Sequence, residues 1–307
     1  MKTIKIRMRE AAPSLARRCY LVTSALLLGL IFVLPAAEIR VADYGAKGDG
    51  NADDAVALEK AVAALSAAPK PAVLRFESGR TYRAASGSGF LINLDHQENI
   101  TVEGGGATLL LGGERRGVSL HECHDLTVRG LRLDFDPLPF AEALVTAVDK
   151  RAHRLDARIA DGFAPPPLGG PTHAGGEQAY FGMLWNPGLH VLRSTHFWVA
   201  DLTASGSGDP RTLCAIAATN FHDFGAITAG VTRISLPVRG IAHRRGAGAV
   251  LEIDGSRDVL LENIEVWSAP WMACVVQRNE GTVTLRQVMV RPHTAQGLLG
   301  KDFLLPL

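Results

Sequence analysis
Lysine all but disappears from this chain after its first quarter: beyond Lys70 only Lys150 and Lys301 remain. Cysteine is scarce too, with 4 among 307 residues, and past the N-terminal segment the set reduces to Cys123, Cys214 and Cys274. These form no CxxC and no even group, which excludes a disulfide framework and a zinc ribbon. They are expected to be buried as small apolar residues. A long apolar run is also missing: the stretch from Tyr20 to Leu34 carries Thr23 and Ser24 and is shorter than the ~20 residues that a spanning helix needs.

That run follows a basic segment (Lys2, Lys5, Arg7, Arg9, Arg17, Arg18) and precedes Pro35-Ala36-Ala37. Basic, apolar and small-residue regions in this order predict a secretory leader over residues 1–37, hence a secreted or periplasmic product, with membrane attachment only if the leader stays uncleaved. The leader holds six basic residues and one acid of the 32 basic and 31 acidic in the chain, so the remainder is acidic by about −4. An acidic chain excludes a nucleic-acid partner, whose phosphates call for a basic face.

The stretch Ile39 to Leu65 (IRVADYGAKGDGNADDAVALEKAVAAL) joins a short apolar strand, a Gly- and Asp-rich turn and a helical segment. Gly45, Gly48 and Gly50 allow positive φ in a tight loop. Asp53 or Asp54 can accept from the free N–H groups that open the helix, so a helix cap is expected there in preference to a catalytic pair. Val56, Leu58, Val62 and Leu65 form its apolar stripe.

Four segments share a polar start and two short alternating strands split by a turn: Asn99 to Leu111, Asp125 to Phe135, Asp258 to Trp267 and Thr282 to Val290. Setting Ile100 on Leu126 gives a step of 26, and Val259 on Val283 a step of 24. A strand-built recurrence of that length predicts an all-β chain folded as a parallel β-helix, with the cysteines stacked in neighbouring coils. Pro71 to Tyr82 reads as the first rung, and His196 to Ala204 as another rung or an unrelated strand. Between Pro137 and about Arg245 the repetition lapses into short apolar runs broken by Gly and Pro, which predicts an inserted β module. The domains expected are therefore the leader 1–37, coils 38–136 with a capping helix, an inserted small β-barrel-like module 137–245, and return coils 246–307.

Asp43, Gly45, Ala46, Gly48, Asp49, Gly50, Asp53 and Asp54, continuing through Ala57, Leu58, Ala61 and Val62, resemble the N-terminal signature of the right-handed parallel β-helix (pectin lyase-like) enzymes that act on polysaccharides. Within that superfamily, Leu131 to Phe140 (LRLDFDPLPF), Val145 to Asp149, Glu265 to Met272 (EVWSAPWM) and Val290 to Thr294 (VRPHT) resemble, in order, elements of the bacterial α-1,3-galactosidases of glycoside hydrolase family 110. The resemblance implies a glycoside hydrolase-type protein for galactose-containing glycans, with a small barrel overhanging the solenoid. It also implies catalytic acids in later coils, in an Asp-Gly-x-His-like segment and an Asp pair. This sequence ends in GKDFLLPL with neither motif, so a chain shortened ahead of its catalytic coils is the expectation and no catalytic residue carries over.

Glycoside hydrolysis uses two carboxyl groups, about 5 Å apart for retention or about 6.5 to 9.5 Å for inversion. Asp134 and Asp136 alternate with Leu133 and Phe135 and are expected to point outward on one strand face, as an acid pair or as solvated turn residues. Glu262 and Glu265 are spaced oddly across a turn. A lyase would need an acidic calcium cluster beside a basic residue, which the rungs do not show. His121 and His124 in HECH lie in a polar turn with no second ligand cluster, so neither metal nor cofactor is expected. Of Trp185, Trp198, Trp267 and Trp271, the last two sit at a rung end beside Pro270 and are candidates for stacking on a saccharide; Arg291 and His293, one rung on, are candidates for hydrogen-bonding it. A non-catalytic glycan-binding solenoid and a polygalacturonase-like or lyase-type enzyme are the rival readings.

Overall fold
The computed structural model describes residues 4–7, 35–166, 181–186, 190–204, 209, 211–217, 227–237, 249–269 and 272–291. Trp271 and His293 lie outside these residues. The chain is mostly β, with a parallel β-solenoid of about 7 turns. One sheet stacks Ala37–Arg40, Ala72–Arg75, Glu98–Leu111, His124–Phe135, Arg257–Val266 and Thr282–Val290, all parallel. The other stacks Ser88–Asp95, Glu114–His121, Ala249–Asp254 and Met272–Gln277.

Alternation along each strand makes this stacking favourable. Ile39, Leu74, Val102, Val128 and Leu261 face one another in successive coils and are buried, as are Leu94, Leu120 and Ile253 opposite them. A coil cannot bury its apolar side alone, so each strand is stabilised by its neighbours above and below. Ile100 pairs with Leu126 and Val259 with Val283, so the steps of 26 and 24 read from the sequence are coil lengths. Val259 also pairs with Leu126, which makes residues on either side of the 137–245 segment direct neighbours.

Between the two halves, Phe140–Asp149, Arg154–Ile159, Thr212–Ala217, His190–Ala204, Phe181–Asn186 and Arg233–Pro237 close, in that order, into an antiparallel barrel. Val145, Leu155, Leu184, Leu202, Leu213 and Ile234 belong to its separate core. His196 to Ala204 is thus part of a barrel strand, not a rung.

The helix spans Ala55–Ala67 and buries Ala55, Leu58, Ala61, Val62 and Leu65. Val56, expected in the stripe, is 56% exposed, because Ala55 takes the inward position at the start of the helix. The residue at the N-cap, Asp54, makes no side-chain bond to the helix, so the cap expected of it is absent and only Asp53 touches the helix start. Asp53 Oδ1 accepts from Ala55 N at 3.1 Å and from Ala85 N at 3.0 Å, tying the helix start to the first coil. The buried Asp54 carboxylate instead accepts from Lys47 N at 2.7 Å and Gly48 N at 3.0 Å, fixing the Gly-rich loop. Gly48 has φ of 59° and an added Cβ would meet the Tyr82 ring at 2.9 Å, so glycine is needed twice over.

The cysteines do not stack on one another. Cys123 shares its inward-facing column with Ser256 and Asn279: Ser256 Oγ accepts from Cys123 N at 3.0 Å, and Asn279 Oδ1 accepts from Ser256 N at 2.7 Å. Ser256 Oγ and Asn279 Nδ2 donate to Leu120 O and Ile253 O, so the polar groups inside the corner satisfy one another. Cys214 lies on a barrel strand and Cys274 on the second solenoid sheet. Residues Ile4–Arg7 pair antiparallel with Thr282–Leu285. No described helix is long and apolar enough to cross a membrane.

Candidate functional site
A bend divides the strands of the first sheet and decides which outward residues share a column. It falls at Gly104 to Gly106, at Gly130 (φ 69°), at Asn263 (φ 52°) and at Gln287 (φ 54°). A Cβ on Gly104 would sit 2.3 Å from the Gly130 carbonyl oxygen, so backbones here touch directly. Before the bend, Arg75, Glu103, Arg129, Glu262 and Arg286 form a column of nearly alternating charge, with ion pairs Arg129–Glu103 and Arg286–Glu262. After it, Thr108, Arg132, Glu265 and Met289 form a second column. The odd spacing of Glu262 and Glu265 is this bend.

Glu265 gathers the candidates of the return coils. Arg291 Nη2 donates to Glu265 Oε1 at 2.8 Å, Arg291 Nε lies 3.3 Å from Oε2, and the Trp267 indole N–H donates to Oε2 at 2.8 Å. The Arg132 guanidinium stands 5.7 Å from the Trp267 ring centre and donates to Gly106 O at 2.8 Å. Backbone bonds hold these positions in register: Trp267 N donates to Leu133 O, and Arg291 N to Val266 O. Burial disfavours ionised Glu265, but the hydrogen bonds from Arg291 and Trp267 and the charges of Arg291 and Arg132 outweigh it, so its carboxyl sits below the ordinary value. The result is a persistent carboxylate beside an indole ring and two guanidinium groups.

Asp134 and Asp136 do not form the outward pair expected of them. Asp134 is 3% exposed and accepts from Ser268 Oγ at 2.6 Å and from Phe135 N at 2.8 Å. It is covered because the returning coil runs on past Val266 through Trp267 and Ser268, directly over Leu133 and Asp134. Asp136 accepts from Arg83 Nη1 at 2.7 Å, two coils below. Trp185 and Trp198 belong to barrel strands, not to rungs.

His121 and His124 are likewise separated. His124 Nε2 lies 2.8 Å from Glu98 and its Nδ1 3.2 Å from Asp125, whereas His121 Nδ1 lies 2.7 Å from Asp95. Asp95 and His96 are the residues that sequence reasoning missed here. Adding one coil length of 26 to Asp95 reaches His121, and that was the available signal. An open groove lined by Asp125, Thr127, Asp258, Thr282 and Thr284 lies at the starts of the first-sheet strands, opposite the Glu265 end, and brings together no aromatic or basic group among the described residues.

No protein family matches this chain, and no curated protein is significantly similar to it. The parallel β-solenoid itself is what the geometry establishes.

Proposed function
We propose that this chain is an exported carbohydrate-active protein of the glycoside hydrolase type, which engages galactose-containing glycans over the surface around Trp267. The observation that carries the reading is the indole of Trp267 pinned by Glu265, with Arg132 and Arg291 beside it. An aromatic face packs on the C–H face of a pyranose, while a carboxylate and guanidinium groups hydrogen-bond its hydroxyls, the usual division between apolar lining and a few placed polar groups. The order of the LRLDFDPLPF, EVWSAPWM and VRPHT segments supports the galactosidase resemblance. The solenoid supports a long saccharide laid along its outer face.

Binding without turnover is the second reading, and it has its own support: Asp134 is held by Ser268, Asp136 by Arg83, and Glu265 by Arg291 and Trp267. Assay of the purified protein against α- and β-galactosides and galacturonans, with binding and product release followed together, separates the two. The hydrolase reading expects released galactose, lost in Glu265→Gln. Saturable binding with no product favours the binding reading, and absence of both would sink the glycan assignment. Export is tested separately by sequencing the N-terminus of the mature protein: a start near Glu38 is expected, and an intact Met1 on membranes contradicts it.

A further inference from the structure
Two consecutive corners of the solenoid hold a group of side chains that glycan binding leaves unused. Strands Ser88–Asp95 and Glu114–His121 end side by side with Asp95 opposite His121, and the next residue of each, His96 and Glu122, has a φ of 50°. A left-handed backbone costs a residue with a side chain about 1 kcal/mol or more, and the following coil uses Gly255 at this position. Histidine and glutamate are kept where glycine would fit the turn.

The contacts they make are specific. His96 Nδ1 lies 3.0 Å and His121 Nδ1 2.7 Å from the same oxygen, Asp95 Oδ1. On the far side, His96 Nε2 lies 2.7 Å from Glu122, which is also 3.9 Å from His121 Nε2. The next pair of coils shows what such a carboxylate calls for: Asp254, in the column of Asp95 and His121, is paired with the Arg278 guanidinium from the coil above. Above Asp95 that place is taken by Glu122, a second carboxylate, with two imidazoles between. Arg278, whose charge also reaches Glu122, is committed to Asp254.

We propose that Asp95, His96 and His121 form a surface site for a divalent transition cation of the zinc class, with Glu122 orienting His96. The three residues offer ligand atoms within 4.8 Å of one another. Bonds of about 2.0–2.2 Å to a tetrahedral zinc ion set such atoms roughly 3.3 Å apart. The two imidazole nitrogens stand 3.0 and 2.7 Å from Asp95 Oδ1 and the whole set spans at most 4.8 Å, so rotation of these side chains seats the ion. The remaining nitrogen of His96 already faces a carboxylate, the outer partner that fixes a metal-bound imidazole. Two nitrogen donors favour zinc-like ions over calcium or magnesium, which take oxygen donors. A bound ion would add a metal cross-link to the side-chain contacts between the two coils and would stabilise the folded chain by mass action.

The test is calorimetric titration of the full, chelator-treated chain with zinc chloride, repeated on His96→Ala, His121→Ala, Asp95→Asn and, as a control from the same turn, His124→Ala. Asp95 and His96 are exposed and His121 and His124 half-buried, and circular dichroism checks that each variant folds. One ion should be lost, or bound at least about tenfold more weakly, in each of the first three variants and retained in the control. In the wild type, the ring nitrogen resonances of His96 and His121 should move on zinc addition, a readout that needs no variant. Equal loss in His124→Ala, or zinc binding that leaves both rings unmoved, would overturn the site, as would no binding at all.

Discussion

In the solenoid, Leu133 lies between Leu109 one coil below and Val266 one coil above; in the barrel, Ile234 lies between Ala143 and Leu184 on antiparallel strands. The first set keeps register along the axis, so like residues form columns and a change at one level is felt at the levels beside it. The barrel has register shifts between Val145 and Ala147, Met183 and Trp185, and Val199 and Asp201, and its core is separate from that of the solenoid. Columns place polar side chains at repeated, predictable positions, and both the Glu265 surface and the Asp95 corner arise from that property. The barrel offers no such repetition.

The largest effect that separates the two regions is expected from core truncation. Leu133→Ala and Ile234→Ala should each cost about 2–5 kcal/mol in urea denaturation. In Leu133→Ala, hydrogen exchange should quicken in Glu98–Leu111 and Arg257–Val266 on both sides; in Ile234→Ala, quickening should stay within the barrel strands. Loss of solenoid protection in Ile234→Ala would erase the distinction. Next comes the inward polar column. Ser256→Ala strands the Cys123 N–H inside the corner and is expected to cost about 1–3 kcal/mol, a loss that Ser256→Thr should partly restore if its hydroxyl reaches the same partners.

A smaller effect distinguishes the regions by sign. The hydrogen bond from Arg129 holds Glu103, in the solenoid, below its ordinary value despite partial burial. Burial raises Glu142, in the barrel, against the pull of Arg233. Glu103 therefore contributes stability that is present above the ordinary glutamate value and lost as pH falls through its lower folded value. Glu142 favours the folded state below the ordinary value and loses that contribution as pH rises toward its raised one. Between about pH 6 and about pH 3, Glu142→Gln should remove an acid-side gain in barrel protection, and Glu103→Gln an acid-side loss in the solenoid. The same sign in both, read by region-resolved hydrogen exchange, would contradict the assignment.

How much of this was legible in the sequence follows from the same contrast. The pairing of Ile100 with Leu126 and of Val259 with Val283 could be read because a coil repeats its own pattern. The burial of Asp134 could not, since its cover, Ser268, lies 134 residues further on and the strand itself alternates as if it were open. Val56 was misplaced by a ragged helical stripe, and Cys123 by matching cysteines with one another when its column continues as Ser256 and Asn279. Trp267 and Arg291 were named separately; Glu265, which joins them, was set aside because the Asn263 bend hid its column. The barrel's strand order carries no sequence signature, as antiparallel closure with shifted register leaves no period to find.

The central claim is that Trp267 and its carboxylate partner form the saccharide-binding surface, and the indole N–H that Trp267 gives to Glu265 reports on it directly. The most direct measurement is an indole ¹H–¹⁵N titration of the full protein with an α-galactosyl oligosaccharide, the Trp267 resonance being assigned by its loss in Trp267→Phe. A saturable shift of that resonance, abolished in Arg291→Ala or reduced there by about tenfold in affinity, is expected. A Trp267 resonance that stays fixed at saturating sugar would contradict the account.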